Sequence, residues 1–330
     1  LANLEAIWSY SPSRFVTYTS FALNYRLHLL NVTGYHVANT VIHIGAGLSA
    51  WWLILLLFRT PSLRDIPLAR DSHLVAFFSA LVFLVHPLQT QAVTYIVQRA
   101  ASLAAGFYLL ALALYVKGRL MQLEGKTRTG LYFYCGTMIA GLLGMFSKET
   151  AYTLPAMIVL VEFFFLRGAD GFRSRSFFGL TAFFLATFVA ALTLKVIPIP
   201  EVPNVSRGEY LLTQFRVLTT YLRLLVLPVN QNMDYDYPIS KTLFEPETAF
   251  SLIFLLGLLV LAVWLFRRHR LLSFAVFWFF IALAPESSII PISDVIYEHR
   301  MYLPMFGCSL FLVTLVYLLL SEKPRLALIS

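Results

Sequence analysis

Three short segments of this chain pair acid and base groups at the ends of apolar runs: His86–Pro87 with Arg99, Lys148–Glu149, and Glu298–His299–Arg300. Arginine and lysine can neutralise a phosphate, while a carboxylate or a histidine can orient a hydroxyl. Taken singly, each such group reads as a helix-end anchor or a snorkelling side chain. Three of them on one face predict a convergent polar cavity, with interhelical salt bridges as the plainer alternative. A groove between membrane helices that carries cations at headgroup depth suits a sugar phosphate linked to a lipid. Chemistry of that kind requires helices that cross a bilayer.

Composition supplies them. Of 330 residues, 59% are apolar and only 13% charged, with a mean hydropathy of +0.74, which excludes an ordinary soluble domain. The stretch Val85–Val116 organises the rest: a His-Pro break, a polar mouth with Gln91, Thr94, Gln98 and Arg99, then an uncharged run from Ala100 to Val116. An ionisable group at the depth of Arg99 needs a partner or a task. Further apolar runs are Tyr35–Phe58, His73–Val85, Leu131–Phe146, Leu154–Leu166, Phe177–Ile197, Thr248–Phe266, Leu271–Ala284 and Met301–Leu320. The fold class read from them is all-α, a polytopic transmembrane bundle of about nine spans in one domain, residues 1–330.

Charge orders the two sides. Lysine and arginine gather at Arg59/Arg64/Arg70, Lys117/Arg119/Lys126/Arg128, Arg167/Arg173/Arg175, Arg267/Arg268/Arg270 and Lys323/Arg325. Nine spans put all five groups on one side, which the positive-inside rule makes cytoplasmic. The +8 net charge is thereby explained with no nucleic acid partner. Acidic residues, among them Glu5, Glu149, Glu201, Glu286 and Glu298, fall on the other side. There residues 1–34, with Trp8, Tyr10, Phe15, Tyr18, Phe21 and Tyr25 among polar groups, read as an interfacial segment.

A long outer connection over 198–247 holds EYLLTQFRVLTTYLRLLVL, an amphipathic pattern ending at Pro228 and expected to lie on the membrane. Its Arg216 and Arg223 share a stripe that could meet lipid phosphates or a bound ligand. Asp234 and Asp236 give a weak cation signal, and the Asn31 and Asn204 triplets are chance-level glycosylation sites. His36, Asn39 and His43 share one face of a span and read as inward polar groups satisfied by neighbouring helices. Cys135 and Cys308 read as small buried hydrophobes. Glu162 is the main acid at mid-span depth, and no P-loop, HExxH or nucleophile elbow occurs.

HPLQTQAVTYIVQRAASLAAGFYLLALALY, FSKETAYTLP, PISDVIYEHRMYLP and SRFVTYTSFALNYRLHLLNVTGYHVANTVIHI resemble segments, in the same order, of bacterial tetratricopeptide-repeat membrane proteins. These are similar to the transmembrane O-mannosyltransferases of the glycosyltransferase C superfamily. The resemblance implies inverting transfer of a sugar from a polyprenyl-phosphate donor to a protein hydroxyl, at the non-cytoplasmic face, here the periplasmic side of a bacterial inner membrane. Such transfer can proceed without a metal, because the leaving phosphate is already anionic and can be neutralised by arginines, and no cofactor is expected. By position, Arg99, Lys148, His299 and Arg300 are expected at the donor phosphate, with Glu149 orienting Lys148, Glu298 holding the His299–Arg300 turn, and His86 nearby. The family's acidic pair in the first outer loop has no counterpart: no Asp precedes Asp65. That pair is expected upstream of Leu1 and the repeats downstream of Ser330, with the catalytic acid unassigned. The rival reading is a non-catalytic membrane scaffold on the same fold, docked in a larger assembly.

Overall fold

A computed structural model describes residues 3–166, 174–197, 205–288, 290–292 and 294–321. Arg167, Arg173, Glu201, Asn204, Lys323 and Arg325 lie outside them. Among the described residues every regular element is helical: α1 (Leu4–Tyr10), α2 (Phe15–His28), α3 (Val32–Leu57), α4 (Ser72–Val85), α5 (Thr90–Thr94), α6 (Arg99–Leu123), α7 (Thr127–Met145), α8 (Leu154–Val161), α9 (Arg175–Thr193), α10 (Arg207–Val226), α11 (Pro246–Leu265), α12 (Arg270–Leu283) and α13 (Pro304–Ser321). One π turn, Glu162–Leu166, extends α8.

Helix starts follow local chemistry. Asn31 caps α3 by accepting from the Thr33 amide, and Ser206 and Glu209 form a reciprocal capping box at α10. At the His86–Pro87 break, Pro87 cannot donate to α4, so the chain turns through a short 3-10 segment whose Leu88 amide is capped by His86 Nδ1.

Among the described residues seven helices are long and apolar enough to cross a membrane: Val32–Leu57, Pro67–Val85, Ile96–Leu123, Glu149–Leu166, Arg175–Thr193, Pro246–Leu265 and Pro304–Ser321. The protein is thus all-α and polytopic. Of the nine expected spans, the other two are helical but fall short: α7 has 19 residues without sufficient hydropathy, and α12 has 14. Fourteen residues reach about 21 Å, less than a hydrocarbon core of about 30 Å.

Central position goes to α6, whose apolar window is 72% buried, against 22% for α9. Small residues make this possible. Ala101, Ala104, Ala105, Ala111 and Ala113 are buried along α6 and let neighbouring helices approach. A Cβ on Gly118 would stand 2.6 Å from Tyr134 Cε1, so α6 and α7 meet there at a distance only glycine permits.

Several expectations are corrected here. Asn39 and His43 are buried and bonded as predicted, Asn39 to the Val93 carbonyl and His43 to Leu84 and Tyr302, but His36 is exposed. Cys135 is exposed, because the apolar run of α7 turns one face outward, and Cys308 on α13 is half-buried. Helix α10 buries Tyr210, Gln214, Val217, Tyr221 and Leu224 against protein: Tyr210 donates to the Glu286 carbonyl, Gln214 to Val295 and Tyr221 to Tyr297. Its stripe therefore packs on the 285–297 turn. Arg216 pairs with Glu247 and donates to Ser240 Oγ, while Arg223 donates to the Val229 carbonyl, so both have protein partners.

Candidate functional site

The Gln91 part of the polar mouth, the Lys148 turn and the Glu298–Arg300 turn lie together through contacts other than those expected, and Arg99 is not among them. Gln91 Oε1 accepts from the His299 amide at 2.6 Å, tying the polar mouth to the 298–301 turn. Lys148 Nζ lies 2.7 Å from Glu286 Oε1, tying the 147–153 turn to the end of α12. Both partners are nearly buried, with side chains 7% and 11% exposed. Glu286 Oε2, by contrast, has no hydrogen-bond partner among the described residues. A buried carboxylate oxygen in that state is costly unless something else meets it.

Glu149 does not orient Lys148. It accepts from Arg14 through Nε at 3.3 Å and Nη2 at 3.2 Å, and from Ser13 Oγ at 2.9 Å. The reason lies in the N-terminal segment: the Val16 amide donates to the Phe146 carbonyl and Thr17 Oγ1 to Ser147, which brings Arg14 over the turn. Ordinary sequence spacing gives no sign of this pair, since 135 residues separate its members.

Arg300 is buried, and its fork grips backbone: Nη1 donates to the Val295 carbonyl and Nη2 to Asp294. Burial works against its charge, but Tyr221, Glu286 and Tyr210 facing it hold its pKa above the usual arginine value. His299 is driven the other way. Burial first, then the Lys148, Arg300 and Arg14 charges, push its pKa well below the histidine range. Held neutral in this way, it would meet a phosphate as a hydrogen-bonding group and not as a cation. Its Nδ1 faces Gln91 Oε1 at 3.2 Å, an acceptor, which assigns the proton to Nδ1 and leaves Nε2 as acceptor.

Glu298 pins a loop instead of the turn that carries it. Its carboxylate accepts from Gln231 Nε2, the Asn232 amide and Tyr235 Oη, at 2.8, 2.7 and 2.6 Å. His86 Nε2 donates to the Leu225 carbonyl at 3.2 Å, fastening the end of α10. Both are therefore fixed in structural bonds. Asp234 and Asp236 gain no third ligand; among the described residues no three His, Cys, Asp or Glu side chains gather as a metal site.

Arg99 stands apart. Its guanidinium donates to Asn39 Oδ1 at 2.6 Å, to the Ser20 carbonyl at 3.3 Å and to the Tyr35 carbonyl at 3.2 Å, with the Phe21 ring 4.4 Å away. Every partner belongs to α2 or α3, and none is shared with Arg300 or Lys148. Arg99 closes the N-terminal hairpin onto the central helix. The cluster that remains joins Arg14, Lys148 and Arg300 to Glu149 and Glu286, three cations to two carboxylates, with Tyr210, Tyr221 and neutral His299 around them.

Fold and site together define a polytopic helical membrane protein with a buried, cation-rich cluster at one set of helix ends. Its sequence is 27% identical over 309 residues to protein O-mannosyl-transferase F38B6.6 of Caenorhabditis elegans, covering 92% of this chain and 41% of the relative. It is 30% identical over 172 residues to protein O-mannosyl-transferase Tmtc3 of Drosophila melanogaster, covering 47% and 17%. Against protein O-mannosyl-transferase TMTC3 of Mus musculus it is 38% identical over 112 residues, covering 34% and 10%. The chain is thus homologous to proteins named protein O-mannosyl-transferase, in line with the resemblance its motifs carry, and spans less than half the length of these relatives. No family model and no solved structure matches.

Proposed function

We propose that this chain forms the membrane part of a glycosyltransferase that moves a sugar from a polyprenyl-phosphate donor to a protein hydroxyl, at the non-cytoplasmic face of a bacterial inner membrane. The observation that carries the reading is the buried Lys148–Glu286 pair beside Arg300, in which one Glu286 oxygen is held and the other is unmet. Relatives named protein O-mannosyl-transferase support the reaction class.

In the reaction, the acceptor oxygen bonds the anomeric carbon as the bond from that carbon to the phosphate oxygen breaks. Polyprenyl phosphate leaves as an anion. Lys148 and Arg300 neutralise it, and no metal is needed for that task. Glu286 Oε2 accepts the proton of the attacking hydroxyl. Membranes containing the full-length protein, polyprenyl-phosphate mannose and endogenous acceptors test this directly. Transfer that persists at the wild-type rate in Glu286→Gln and Arg300→Lys overturns the assignment of these residues.

A second reading has its own support. Arg99 is saturated by Asn39, Ser20 and Tyr35, and Glu298 by three donors, as a non-catalytic scaffold would have them. Absence of transfer by the wild-type protein, together with its co-purification in a stoichiometric membrane complex, would favour that reading.

A further inference from the structure

At the opposite, basic end a cavity of about 380 Å³ opens between the 3-10 turn before α4, the α11–α12 turn and the last turns of α13. Its volume lies within the range of small-molecule sites, about 300–1,000 Å³. One wall is cationic, formed by Arg267, Arg268, His269 and Arg270; the facing wall is apolar, with Leu63, Ile66, Leu68 and Leu318.

Three observations say what fits. First, among the described residues none of Arg267, Arg268 and Arg270 has an ion-pair partner; of the nearby acids, Asp65 is paired with Arg64, and Asp71 accepts from Tyr317 at the cavity's edge. Arg270 is aimed by bonds from Nη1 to Ser62 Oγ at 2.7 Å and the Phe164 carbonyl at 3.0 Å. Second, Thr314 lines the cavity at 1% exposure with its hydroxyl unbonded. A buried donor in that position awaits an acceptor. Third, the surface beside the cavity is lipid-like: Trp264, Val316, Leu319 and Leu320 are exposed, and Arg268 stacks on Trp264 at 4.5 Å. Tryptophan at that place marks the headgroup zone.

We infer that this cavity binds the phosphate headgroup of an anionic phospholipid, whose acyl chains lie along α11 and α13. Three unpaired arginines favour a lipid with net negative charge over a zwitterionic one, and basic pockets between helix ends suit such headgroups. The apolar wall and the neighbouring exposed side chains argue for a lipid over a soluble phosphate. This site is independent of the sugar-transfer cluster, which lies at the other helix ends.

Lipid titration of the full-length protein in detergent, read by native mass spectrometry, tests the inference with phosphatidylglycerol, phosphatidylcholine and inorganic phosphate as probes. One phosphatidylglycerol should bind in preference to phosphatidylcholine and resist millimolar phosphate. Arg267→Gln combined with Arg268→Gln should weaken it about tenfold or more, as expected for two headgroup contacts. Both positions are exposed, so the fold should hold. Thr314→Val should weaken binding with no loss of thermal stability. Equal binding of the two lipids, indifference to both variants, or displacement by inorganic phosphate would each overturn the inference.

Discussion

Two buried ion pairs sit at opposite ends of the bundle and are built differently. Arg119 and Glu162 are 2% and 0% exposed, joined through Nε and Nη2, and Glu162 also accepts from Tyr115 Oη at 2.7 Å. Arg119 Nη1 continues to Gln122, whose Oε1 also takes Tyr134 Oη and Ser174 Oγ. Every group in that network is met. Lys148 and Glu286 are joined by one contact and leave a carboxylate oxygen open. A saturated pair holds helices together; an unsaturated one leaves a buried acceptor at a cost in stability.

Mutation should separate the two. Glu162→Ala strands Arg119 inside the bundle and should cost about 3–5 kcal/mol, read as loss of yield and melting temperature in detergent. Replacing both partners together, Arg119→Met with Glu162→Leu, should recover most of that. Next, Glu286→Gln keeps an acceptor for Lys148 and should leave the protein folded while sugar transfer falls about 100-fold or more. A folding defect as large as that of Glu162→Ala would erase the distinction between the pairs. Arg99→Lys then loses the planar fork that reaches Asn39, Ser20 and Tyr35, and should cost about 1–3 kcal/mol in stability.

The smallest effect concerns pH. His299 has a folded-state pKa far below its ordinary value of 6.5, so the unfolded chain takes up the proton first as pH falls. Its contribution to stability is therefore complete above that value and declines below it, by at most about 1.4 kcal/mol per pH unit. His86 is lowered by burial too and titrates in the same direction. The difference in melting temperature between pH 7.5 and 5.5 should hence shrink, not vanish, in His299→Gln. An unchanged difference would show that His299 is not held neutral.

Much of the architecture was legible. Apolar run lengths placed the helices, but of the paired segments expected to converge Arg99 is left apart, held by α2 and α3. Residue roles were less legible, because adjacency in sequence does not decide partnership. Lys148 and Glu149 are neighbours, yet the extended backbone at Lys148 sends it to Glu286 while Glu149 turns to Arg14. Arg119 was counted among loop cations from its place beside Lys117, but it lies on the inward face of α6 opposite the π turn that carries Glu162. The open oxygen of Glu286 had no signal in the chain at all.

The sequence by itself determined that this protein is a bundle of apolar helices, several of them long enough to cross a membrane. Hydrophobicity and charge act locally along each segment, so run length and loop composition suffice for that. Only the tertiary structure decided which charges are spent on each other. Ion pairs and fork contacts depend on positions to within an ångström or so, and those arise from how distant helices pack: Arg14 meeting Glu149, Arg99 closing on α2 and α3, and Arg267, Arg268 and Arg270 lining one cavity with no ion-pair partner among the described residues.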